Sequence, residues 1–208
     1  MKKIFSIIIQ LISHLYPYQF HPKIQSRRNV LYTMWIRNFI GHVGVHSRIC
    51  RPCSLQGGGQ KNISIGDYTT IQGTSILGCW TKYGRQEFPN ASITIGNYCS
   101  IGEYNHITAC NKISIGDGLL TGRYVIISDN SHGGLSEEEA RIAPANRDLK
   151  SKGEVVIGNN VWIGEKVTVL AGVHIGDNVI IAANSVVTSD IPDNSMAAGV
   201  PARVVKSL

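Results

Sequence analysis

The chain has 208 residues, of which 43% are apolar and 16% charged, and a net charge of +6. It is too apolar and too sparsely charged for a disordered chain, its 22 glycines show no collagen triplet, and no apolar run reaches the roughly 20 residues of a bilayer-spanning helix. Five cysteines exclude a fully paired disulfide framework and point to a reducing compartment, and the mild charge without a dense Lys/Arg stripe argues against nucleic acid while fitting a nucleotide-bearing small molecule.

At the N-terminus, Lys2 and Lys3 precede an apolar stretch over residues 4–15. Gln10, Ser13 and His14 interrupt it, and Tyr16-Pro17-Tyr18 offers no small-residue cleavage site, so a secretory signal is disfavoured. The stretch reads as an amphipathic helix packed on the domain or on a neighbouring subunit. A second reading lays residues 1–25 in a membrane interface, with Arg27 and Arg28 nearby. Residues 26–39 read as a second helix, with Ser26 as N-cap, Val30, Leu31, Met34 and Trp35 as its packed face, and Gly41 as its stop. Residues 1–40 thus form a helical segment.

From there a six-residue period dominates. Every sixth residue from Ile157 is aliphatic: Ile157, Ile163, Val169, Ile175, Ile181 and Val187. Four residues after each comes a small or β-branched residue: Val161, Val167, Val173, Val179, Ser185 and Ile191. The same phase recurs in Ile65, Ile71 and Leu77, in Ile95, Ile101 and Ile107, and, imperfectly, in Ile115, Thr121 and Ile127. A period of six fits neither a helix nor a simple strand. It fits a parallel β-helix of hexapeptide repeats, in which each face is a short strand plus a corner and three faces make a turn. The aliphatics stack into an inner column, and the glycine after several of them is expected to turn the corner with an unusual φ. The chain is therefore read as all-β, with the coil over residues 41–192 and a C-terminal tail over 193–208.

Residues 78–92 and 133–153 break the period, and the frame slips by two between Ile107 and Ile115. Loops inserted at solenoid corners commonly carry function, so the chemistry is sought there. The first loop carries Trp80, Lys82, Tyr83, Arg85 and Phe88, aromatic and cationic groups in a sugar-binding composition. His132 stands at a corner just before the second loop, but His106 and His174 hold equivalent phases, and phase does not choose among them. Cys50-Arg51-Pro52-Cys53 is a lone CxxC without a second ligand pair, so no metal site is expected. Cys99 falls on an inward position.

The run SDNSHGG at 128–134, followed by APANRDLKSKGEVVIGNNVWIGEKVTVLAGVHIGDNVIIAANSVVTSDIPDNSMAAGVPARVV at 143–205, resembles the hexapeptide-repeat O-acetyltransferases of the maltose and galactoside acetyltransferase-like group, and within it enzymes that acetylate cell-surface polysaccharides. The likeness is strong from about residue 113 to 206, generic over 60–112 and absent from 1–25. It implies left-handed coiling, transfer of an acetyl group from acetyl-CoA to a saccharide hydroxyl, a homotrimer with active sites between subunits, and a cytoplasmic enzyme, at the inner face of the membrane if residues 1–25 dock there. It implies His132 as general base, a role suited to an imidazole because a sugar hydroxyl is a poor nucleophile near neutral pH. Asp129 either orients that imidazole or contacts the acceptor, and Asn105 stands near an acceptor-contacting position. Trp80, Tyr83 and Arg85 complete the acceptor candidates. For acetyl-CoA the matching positions are Trp162, Glu165, Ala183, Thr188, Ser189, Arg203 and Lys206. Glu165 departs from the small residue common there, and Ser189 lacks the lysine charge found in relatives. Two alternatives stay open, an N-acetyltransferase of an amino sugar or drug and a non-catalytic trimeric scaffold. A zinc lyase of this shape would need a histidine five residues from His132, and those positions hold Ile127 and Glu137.

Overall fold

A computed structural model describes residues 2–134 and 136–207. Met1 and Leu208 at the ends, and Leu135 within the loop read at 133–153, lie outside the described residues. The coil is built from three sheets of six, eight and six short strands. Within each coil the chain visits the first, second and third sheets in turn, and strands stack in parallel on the coil before. Register partners Ile157 and Ile175, Ile163 and Ile181, and Val169 and Val187 confirm an 18-residue turn. Both inward positions of the repeat are closed off from solvent: the aliphatic column from Ile65 to Val187 and its +4 partners, Thr69, Ser75 and Cys99 included, are at most 4% exposed. Burying such a column is the main favourable term for a solenoid, whose coils contact only their neighbours.

The corners correct one expectation. Gly158 and Gly176 do not adopt positive φ; they are required because the next coil comes too close. A Cβ on Gly158 would stand 2.3 Å from Asp177 Oδ1. The residue two further on takes the left-handed turn instead: Tyr68, Tyr98, Asn160 and Asn178 have φ between 53° and 56°. Between them runs an Asx ladder. Asp67, Asn97, Asp117, Asn159 and Asp177 each donate their backbone N–H to the side-chain oxygen of the Asx in the next coil, as in Asn97 N–H to Asp117 Oδ1 at 2.7 Å and Asn159 N–H to Asp177 Oδ1 at 2.6 Å. The corner N–H groups are thereby satisfied without a strand partner.

Two helices precede the coil, α1 (Lys2–Leu15) and α2 (Phe20–Ile36). α2 begins before the expected Ser26 cap and packs the opposite way. Its buried residues are Asn29, Thr33 and Ile36, while Val30, Leu31, Met34 and Trp35 are 45–67% exposed. The reason is the open edge of the first coil. Thr33 Oγ1 donates to Ile49 O and accepts from Ile49 N–H, Tyr32 Oη bonds both N–H and carbonyl of Cys53, and Asn29 Oδ1 accepts from Arg51 N–H. These side chains replace a missing neighbouring strand, so the polar face is the one that must turn inward. At the other end the expected tail is structured. Ser195–Gly199 joins the second sheet and Ala202–Ser207 pairs with it antiparallel.

The departures from the 18-residue turn fall on one corner, where the third sheet passes to the first. The loops around 80–91 and 129–154 both leave and re-enter there, as does the two-residue slip at 110–111. One edge of a triangular prism therefore carries the irregular chain.

Candidate active site

The two loops meet at that edge. Ser131–His132 pairs antiparallel with Leu149–Lys150, so the second loop closes on itself at its base and holds His132 out to solvent. The first loop is a small hairpin of Lys82–Tyr83 and Gln86–Glu87. Gln86 ties it to the second loop by two bonds, accepting from Leu149 N–H at 2.7 Å and donating to Leu149 O at 3.2 Å. Tyr83 Oη donates to Ala145 O at 3.1 Å and lies 3.4 Å from His132 Nδ1, with the two rings edge to face at 5.4 Å. Trp80 stands against Tyr83 and donates from Nε1 to Thr108 Oγ1 at 3.1 Å, so it is anchored to the coil as well as facing the loop. Arg85 is exposed at the hairpin turn.

Within the second loop, Glu139 accepts from Gly134 N–H and Ser136 Oγ and pairs with Lys150. The Lys150 ammonium, with help from Ser136 and the Gly134 N–H, holds the Glu139 carboxyl below its ordinary range. The loop is thus pinned from both ends around the histidine.

Two expected site residues lie elsewhere. Asp129 is fully buried; its oxygens accept from Cys110 N–H, Asn111 N–H and Asn130 Nδ2, and it makes no bond to His132. Those N–H groups have lost strand pairing where the chain leaves the third sheet, and a carboxylate there satisfies both. Asn105 is 2% exposed; it donates to Thr121 Oγ1 and accepts from Val125 N–H, bracing a corner from within. Neither presents a free polar atom to an acceptor. Tyr83, expected only as an acceptor contact, is the residue that meets the imidazole, and no local sequence signal links the two, which stand 49 positions apart. His106 is partly buried and burial lowers its pKa, and His174 lies on the first sheet.

The acetyl-CoA candidates fall on other parts of the prism. Trp162 is 52% exposed on the second sheet. Glu165 and Ala183 stand one above the other at the corner from the second to the third sheet, where Asn184 N–H donates to Glu165 O at 2.8 Å. Arg203 and Lys206 lie on the terminal strand that extends the second sheet. Thr188 and Ser189 end the third sheet, at the edge that carries His132 but on a later coil. The exposed column of Trp162, Glu165 and Ala183 fits a long ligand running along the prism, with backbone groups for amides and a basic strand beside it for phosphates. One chain does not bring this column and His132 to the same corner. Among the described residues no cluster of His, Cys, Asp or Glu could hold a metal ion.

Residues 154–189 match the family described as bacterial transferase hexapeptide (six repeats). Over 170 residues the chain is 34% identical to the putative lipopolysaccharide biosynthesis O-acetyl transferase WbbJ of Escherichia coli (strain K12), covering 78% of this chain and 81% of that protein. It is 37% identical to the galactoside O-acetyltransferase of the same organism over 60% of this chain and about half, 53%, of that one. Among solved structures, a hexapeptide-repeat acetyltransferase from Vibrio cholerae O1 biovar eltor, complexed with acetyl coenzyme A, superimposes with a TM-score of 0.54 at 26% identity, over 83% of this chain and 73% of that one. The coil shared with these proteins is the left-handed parallel β-helix.

Proposed function

The chain belongs to the hexapeptide-repeat acetyltransferases, and on that premise we propose that it moves the acetyl group of acetyl-CoA to a hydroxyl of a saccharide, with His132 as general base. The acceptor of this reading is a cell-surface polysaccharide or its precursor, built in the cytoplasm at the inner face of the membrane. The observation that carries it is the closure of both inserted loops on one exposed histidine. Tyr83 spends its proton on Ala145 O, which leaves its oxygen lone pair facing His132 Nδ1. That contact favours the tautomer with the proton on Nδ1 and the lone pair on Nε2.

His132 Nε2 then takes the hydroxyl proton as the sugar oxygen attacks the thioester carbonyl. The tetrahedral intermediate collapses with cleavage of the carbon–sulfur bond, and the imidazolium returns the proton to the departing CoA thiolate. Atoms and charge balance without a covalent enzyme intermediate, as in a ternary complex.

The separation of His132 from the Trp162, Glu165 and Ala183 column supports a site shared between copies, the histidine edge of one against the cofactor column of the next. A homotrimer closes such a ring with three identical sites. The test is CoA release from acetyl-CoA across mono- and oligosaccharides, with His132→Ala as control. Turnover lost in the variant supports the reading; full turnover in the variant overturns the role of His132, and absence of acetyl-CoA binding overturns the transferase.

A further inference from the structure

We propose that the N-terminal end of the coil is a docking face for anionic lipid bilayers, built from α1 and the outward ridge of α2. The proposal does not depend on the acyl-transfer chemistry.

No residue of α1 is buried. Ile4, Phe5, Ile8, Leu11, Ile12 and Leu15 are between 45% and 84% exposed. α2 is locked to the coil by Asn29, Tyr32 and Thr33, so its outer ridge of Leu31, Met34 and Trp35 is held rigidly toward solvent. Tyr32, Trp35 and Phe39 form an aromatic run with ring centroids 5.6 and 5.0 Å apart. Beside it an apolar cavity of about 510 Å³ opens between α2 and the first coil, with Lys61 at its edge. So much exposed apolar surface on one end of a small domain marks an interaction site.

Charge selects the occupant. The first 66 residues hold nine of the twenty Lys and Arg and none of the fourteen Asp and Glu, so the remainder of the chain is net negative. Lys2 and Lys3 start α1, and Lys23, Arg27, Arg28 and Arg37 sit on or next to α2. Arg28 and Arg51 line a cleft of about 270 Å³ with Tyr16 and His21, where α1 meets α2. A second copy of the same face would bring like charges together without a single carboxylate to pair them. An anionic bilayer offers both phases at once, acyl chains for the aliphatics and phosphate for the cations, with the aromatic side chains at the boundary. α1 has 14 residues, about 21 Å of helix, too short to span roughly 30 Å of hydrocarbon, so it lies in the interface.

The test is co-sedimentation of the full chain with vesicles of phosphatidylcholine alone or with 30% phosphatidylserine, at low and high salt. Binding only to the anionic vesicles, weakened by salt, is expected, and Arg27→Glu with Arg28→Glu should weaken it by about fivefold per charge removed. Ile8→Asp with Ile12→Asp should abolish it while thermal unfolding of the coil and turnover of a water-soluble acceptor stay unchanged. Brominated lipid should quench Trp35 fluorescence, an effect lost in Trp35→Phe. Equal binding to neutral vesicles, absence of binding, or vesicle binding that survives Ile8→Asp with Ile12→Asp overturns the proposal. So does a drop in oligomeric state as the sole effect of that pair.

Discussion

The hydroxyl of Tyr83 lies 3.4 Å from Nδ1 of His132 while its own proton goes to the carbonyl of Ala145. The two residues come from different inserted loops, 49 positions apart, so the imidazole is oriented by the joining of the loops. Tyr83→Phe keeps the ring packing and removes the lone pair. We expect kcat to fall by about tenfold, the worth of one hydrogen bond, with the KM for acetyl-CoA unchanged. His132→Ala should cost roughly 10²–10⁴ in kcat. Steady-state kinetics on the two variants checks both.

Asp129 supports the loop from below. Asp129→Ala leaves the Cys110 and Asn111 N–H groups without partners, at about 1–3 kcal/mol for each. The melting temperature should drop, yet kcat measured well below it should remain within a few-fold. A loss of activity as deep as that of His132→Ala in a fully folded protein would return Asp129 to the reaction.

The Glu139–Lys150 pair makes the second loop sensitive to acid. Its partners depress the folded-state pKa of Glu139, so its contribution is fully present above the unfolded value and is lost as pH falls through the lower folded value. Protease cleavage within 136–150 should accelerate in that acid range, with the coil still folded. Glu139→Gln should cleave quickly already at neutral pH.

Gly158 and Gly84 test the two reasons for glycine. At Gly158 a Cβ would stand 2.3 Å from Asp177 Oδ1 of the next coil. Gly158→Ala should destabilise the coil by about 1–3 kcal/mol through overpacking. Gly84 has φ +57° and open space around it, so Gly84→Ala should cost only the left-handed backbone penalty of about 1–2 kcal/mol and leave the coil's melting cooperative. Denaturant unfolding of both variants separates the effects.

The five cysteines are all free and buried. Burial pushes the Cys53 and Cys110 thiols up to about 12 and Cys79 up to about 11, with Asp129 adding to the rise at Cys79 and Cys110. At pH 8 the native protein should react with a thiol reagent far more slowly than a free cysteine, and denaturation should release five equivalents.

The coil was legible because its strands before the terminal one are two to five residues long and each face sends the same two positions inward, so period and burial are one signal. Ile157 and Val161 announce themselves in any window of the repeat. The loops were legible as places where that signal stops. The orientation of α2 was not, because a hydrophobic stripe reports the buried face only when apolar burial decides the packing. At the first coil's edge, unpaired backbone groups decide it, and Asn29 and Thr33 turn inward to meet them. Asp129 and Asn105 misled for the same reason: a polar residue beside a candidate site reads as chemistry until its partners are seen to be backbone amides and a corner threonine. Tyr83 could not be linked to His132 in advance because nothing local encodes the meeting of two loops.

Since the irregular chain leaves and re-enters the prism at a single edge, the other two edges keep an unbroken thread. A segment exchanged between Gly133 and Glu154 changes what surrounds the histidine without altering the pitch on which the later coils stack. On the proposed reading, what meets the acceptor and what holds the coil together lie in separate stretches of the chain, and one can drift or be redesigned while the other stands still.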